Sequence, residues 1–173
     1  LTTSASGTGS VKLVNASGGG YSAAYCRREP YNLSMDKMFS FDYKVGPGVA
    51  LDFVIWVGGK SYAVPFTGAG HSSWSGITPL PVNYAIQRDG QWHHVILNLY
   101  EAFKREAPGA TATMVAQVII GDFRDVAMNT TGPGDNPAGT LCNIDNFIIT
   151  ASSPARDIHL AWEEPEDASG IAG

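Results

Sequence analysis

Phe39-Ser40-Phe41-Asp42-Tyr43-Lys44-Val45 alternates apolar with polar residues at every step. That period of two is the pattern of a strand with one buried face. A second apolar segment, Leu51-Asp52-Phe53-Val54-Ile55-Trp56-Val57, follows across Gly46-Pro47-Gly48, where Gly and Pro supply turn angles. Gly58-Gly59-Lys60 then leads into Ser61-Tyr62-Ala63-Val64-Pro65-Phe66. Three strands in succession predict an antiparallel meander over residues 38–66 and argue against a βαβ enzyme. In this phase Phe39, Phe41, Tyr43 and Phe53 point to a core.

The same reading extends outward. Val11–Val14 and Tyr21–Cys26 are expected to form a first hairpin across Gly18-Gly19-Gly20. Trp92–Leu99 reads as a strand launched by the Asp89-Gly90-Gln91 turn. Tyr100–Glu106 is free of Gly and Pro and stops before Pro108, which predicts a short helix. Met114–Gly121 and Leu141–Ile149 complete the strands. About nine strands with one short helix predict an all-β fold: an antiparallel two-sheet β-sandwich of jelly-roll type.

Composition narrows the function. Only 16% of residues are charged, and 20 Gly and 10 Pro supply many turns, as a loop-rich sandwich requires. The net charge of -5 leaves no basic stripe, so nucleic acid is not an expected partner. No apolar run reaches the roughly 20 residues a membrane span needs, so membrane insertion is not expected. The chain begins at Leu1, which suggests a segment of a longer protein. Cys26 and Cys142 form no CxxC pair; they read as two buried thiols or as one long-range disulfide.

The segments FSFDYKV, DGQWHHVILNL and NIDNFII, in that order, resemble carbohydrate-binding modules of the galactose-binding-domain-like jelly-roll group. DGQWHHV is similar also to laminin-G and lectin-like sandwiches. After Pro154, the run LAWEEPEDASGI resembles the opening of a bacterial fibronectin- or immunoglobulin-like domain. The expected organisation is therefore a jelly roll over residues 1–152, then a linker and the beginning of a following module over 153–173. These resemblances imply a non-catalytic carbohydrate-binding module in an exported, extracellular or cell-surface multidomain protein. Its partners would be a polysaccharide or glycan and the neighbouring domains. The alternative is a structural or adhesive β-sandwich spacer without a glycan ligand.

Sugar recognition needs exposed rings for C–H stacking and polar groups for hydroxyls. Trp56 lies opposite in phase to Leu51, Phe53 and Ile55, and Trp74 lies in a Gly/Ser-rich loop; both are expected platforms. Tyr62, Asp52 and His71 are expected ligand contacts beside them. Asp42 and Asp52 are expected on adjacent strands, where a shared face would allow a carboxylate pair; they read instead as rim acids facing solvent or sugar hydroxyls. His93 and His94 are consecutive in a strand, so they point to opposite faces and cannot readily chelate one ion. The resemblance also implies a structural calcium, with Asp145 of NIDNF as a ligand and Asn143 beside it. Calcium takes six to eight oxygens. No glucanase-like run of three spaced carboxylates, HExxH or nucleophile elbow occurs, so no catalytic residue is expected.

Overall fold

A computed structural model describes residues 10–14, 23–67, 76–82, 85–121 and 136–152. Ten strands and one helix lie among them: β1 (Val11–Val14), β2 (Ala23–Arg27), β3 (Tyr31–Asn32), β4 (Met38–Val45), β5 (Asp52–Val57), β6 (Lys60–Pro65), β7 (Ile77–Pro79), β8 (Trp92–Asn98), α1 (Leu99–Glu106), β9 (Met114–Gly121) and β10 (Leu141–Thr150). They form two sheets, the two-sheet β-sandwich with one short helix that the patterning predicts. Sheet A has the order β1-β10-β4-β8. Sheet B runs β2-β9-β5-β6-β7, with β3 also on β9. Among the described residues every pairing is antiparallel except β6 with β7.

Two expected connections are corrected. β1 pairs with β10 in sheet A while β2 pairs with β9 in sheet B, so the first two strands are not a hairpin. β4 belongs to sheet A and only β5 and β6 pair as a hairpin in sheet B. The Gly46–Gly48 turn therefore carries the chain across the sandwich rather than along one sheet. The reason is burial: β4 and β5 each carry large apolar residues, and facing sheets bury both rows in one core.

That core is aromatic at its centre. Phe41 packs edge-on against Phe53 at 5.2 Å and Phe66 at 5.5 Å, and Tyr43 meets Phe66 at 5.3 Å and 88°. Edge-to-face contacts of this kind add about 0.5–1.5 kcal/mol each beyond area burial. Phe39, Phe41 and Phe53 are fully buried, as their alternation predicts.

The helix begins where Asn98 accepts a hydrogen bond from the Glu101 N–H through its side-chain oxygen at 3.1 Å, satisfying one of the free donors of the first turn. It buries Leu99, Ala102 and Phe103. Lys104 Nζ donates to the carbonyls of Pro108 and Ala110, which ties down the chain just past its end. Cys26 and Cys142 are both free thiols.

Candidate functional site

β4 is central in sheet A, and its polar phase (Ser40, Asp42, Lys44) faces away from the core. The ladder sets its neighbours. Asp42 is in register with His94 on β8 and Asp145 on β10; Lys44 is in register with Trp92 and Asn143; Ser40 is in register with Ile96 and Ile148. Residues opposite one another share a face. One row therefore runs Asp145–Asp42–His94 across the outer surface, flanked by two further rows.

A continuous hydrogen-bonded chain joins these groups. The Asp42 carboxylate only accepts, so His94 Nδ1 carries the proton and donates to Asp42 Oδ1 at 2.7 Å. The His94 Nε2 hydrogen-bonds the Ser40 hydroxyl at 3.2 Å. Asn146 Nδ2 donates to Asp42 Oδ2 at 2.6 Å. Asn146 sits where the β4–β10 register skips between Asp145 and Ile148 and takes φ 50°, in the left-handed region. Its N–H bonds to Asp145 Oδ1 at 2.8 Å. A bulge of this kind re-aims a side chain, and here it accompanies the Asn146 amide reaching Asp42. Asp42 and Asp145, like charges opposite each other, repel; donation from His94 and Asn146 offsets that cost.

The atom order Ser–His–Asp is that of a nucleophilic triad, but its setting is different. Ser40 is 2% exposed, between Ile96 and Ile148. Because β4 is paired on both sides, its backbone N–H groups serve the ladders rather than an oxyanion. The arrangement holds Asp42 in place. Asp42 and His94 themselves keep 18% and 20% of their side chains exposed, and Asn146 is exposed.

Trp92, one row along, is half-buried, and its indole N–H is buried without an acceptor among the described residues. His93 turns the other way, as consecutive strand residues must. Its ring tilts over Tyr43 at 5.6 Å, and its Nε2 donates to Asp89 at 2.8 Å. That hydrogen bond is the main reason the Asp89 carboxyl is held below its usual value.

The other expected site residues are dispersed. Tyr62 is corrected to a core residue: it is in register with Ile55, 6% exposed, and its ring packs edge-on to Phe103 at 5.2 Å. Asp52 is corrected to a buried structural acid. It is fully buried at the start of β5 and accepts from the Phe66 N–H at 2.7 Å. It lies in sheet B while Asp42 lies in sheet A, so the two cannot act as a carboxylate pair. Trp56 is half-buried on the outer face of sheet B, against Val54, Ala63, Ile77 and Ile119. His71 and Trp74 lie outside the described residues.

The expected calcium ligands make hydrogen bonds within the chain. Asp145 Oδ1 accepts from Asn146, and the Asn143 amide donates to the Ser10 hydroxyl at 3.0 Å. Among the described residues no group of three or more His, Cys, Asp or Glu gathers to hold an ion.

Ser40, Asp42, His94 and Asn146 were not expected as one cluster. The legible signal was the polar phase of FSFDYKV and the outward phase of His94. Compared with family models, with curated proteins and with solved structures, the chain matches none.

Proposed function

We propose that this domain is a non-catalytic carbohydrate-binding module of an exported multidomain protein, and that it contacts a polysaccharide through the outer face of sheet A. The observation that carries the reading is the Asp42–His94–Asn146 network, polar groups held on paired strands and still partly open to solvent. Sugar hydroxyls both donate and accept. A carboxylate fixed beside an amide matches a pair of neighbouring hydroxyls with little ordering cost at binding. Trp92, Ile96 and Ile148 supply apolar surface on the same face for the C–H side of a sugar ring. Trp56, on the outer face of sheet B, and Trp74 remain the stacking candidates. Asp42 beside Asp145 disfavours sulfated or uronate-rich polymers, so the ligand class is a neutral glycan.

The test is retention of the folded domain on a panel of soluble and insoluble polysaccharides, with and without a chelator. Retention on a neutral polymer should weaken at least about tenfold in Asp42→Ala, since a hydrogen bond to a charged group contributes about 1.5–3 kcal/mol. Trp56→Ala and Trp74→Ala report whether either ring adds a platform. No retention by the folded wild type on any polymer would leave the spacer or adhesive role as the better reading.

A further inference from the structure

Cys26 and Cys142 enter one core from opposite sheets. Cys26 lies in β2 of sheet B, where the pairing with β9 skips between Tyr25 and Arg27, and it packs against the main hydrophobic cluster. Cys142 lies in β10 of sheet A, in register with Leu13 and Val45; it is 1% exposed and a member of that cluster. The two are more than a hundred residues apart in sequence.

We propose that Cys26 and Cys142 are the two halves of an inter-sheet disulfide that closes when the chain folds in an oxidising compartment. The oxidant is a small-molecule or protein disulfide. One cysteine thiolate attacks a sulfur of that donor, expelling one donor thiolate and forming a mixed disulfide. The thiolate of the second cysteine then attacks the first cysteine's sulfur and expels the other donor thiolate. The chain loses two protons and two electrons, and the donor is reduced to two thiols.

Burial also sets the timing. It pushes both thiols up to about 12, and the neighbouring Cys26 raises Cys142 further. The folded dithiol thus holds almost no thiolate near neutral pH, whereas an exposed cysteine near 8.5 holds a few per cent. Exchange therefore belongs to the unfolded or partly folded chain, and the redox state at folding persists afterwards. The inference does not depend on glycan binding.

The experiment refolds the chain from denaturant in a mixture of oxidised and reduced glutathione, and in parallel in dithiothreitol. Digestion without reduction should yield one cross-linked peptide pair containing Cys26 and Cys142, two hydrogens lighter than the free peptides and separated by dithiothreitol. The oxidised form should melt about 10 °C above the reduced one, because the bridge closes a long loop. Cys142→Ala should melt at the same temperature in both buffers, which separates the bridge from the loss of a packed thiol. Two alkylatable thiols after oxidative refolding, bridges between chains, or a bridged form without native β circular dichroism would overturn the proposal. Oxidation of the folded dithiol as fast as the unfolded chain would overturn the timing.

Discussion

Asp52 and Asp42 are both strand carboxylates facing away from the core, yet their replacement by Ala should have opposite signatures. Asp52 is fully buried and its Oδ1 accepts the Phe66 N–H at 2.7 Å, with Phe66 itself 2% exposed. Asp52→Ala removes a charge-assisted acceptor and strands a backbone donor where water does not reach. A hydrogen bond to a charged group is worth about 1.5–3 kcal/mol, and an orphaned buried donor costs about 1–3 kcal/mol. These overlap, so the expected loss is about 3 kcal/mol. For a chain of this size that lowers Tm by about 6–12 °C.

Asp42→Ala also removes two short contacts, to His94 and Asn146. Its side chain and that of His94 are 18% and 20% exposed, so the released groups rehydrate, and repulsion from Asp145 is relieved. The expected loss is about 1 kcal/mol, or 2–4 °C. Circular dichroism melts of both variants and the wild type, in one buffer, measure the contrast, and glycan retention is read on the same samples. Asp52→Ala should lose stability and keep retention in proportion to the folded fraction; Asp42→Ala should do the reverse. The argument fails if Asp42→Ala melts lower than Asp52→Ala, or if Asp52→Ala melts with the wild type.

Asn136 holds both polar groups of Ala50, donating to its carbonyl and accepting from its N–H at 2.8 Å each, and it is 3% exposed. Asn136→Ala should therefore cost about 2–4 kcal/mol in denaturant melts, and Asn136→Asp should not restore it, because the donor is lost and a charge is buried. Asp89 is held below its usual carboxyl value of 3.8, chiefly by the His93 hydrogen bond and then by the Gln91 N–H. A lowered folded-state pKa contributes stability above the unfolded value that is lost as pH falls through the folded one. Asp89→Asn should thus melt slightly below the wild type at neutral pH, and the two curves should converge in the acid range below 3.8; a gap that persists there would show that the contribution is not electrostatic.

The amino-acid sequence determined the local facts. Phe39, Phe41 and Tyr43 were legible as core from alternation alone, because a strand's side chains have a period of two wherever it pairs. The helix was legible because its run lacks Gly and Pro and stops before Pro108. What alternation left open was which face becomes the core and which strand lies alongside. Tyr62 read as a surface ring and is buried, since its parity is fixed by pairing opposite Ile55. Asp42 meets His94 across 52 residues and Asn146 across 104, separations at which no local pattern specifies register. Placing β4 and β5 in different sheets parted Asp42 from Asp52, and a one-residue skip in β10 accompanied the contact between Asn146 and Asp42. The sequence by itself determined that this chain would build strands around an aromatic core. Only tertiary pairing decided which polar residues those strands would bring together, because register is a long-range property of the packed sheets.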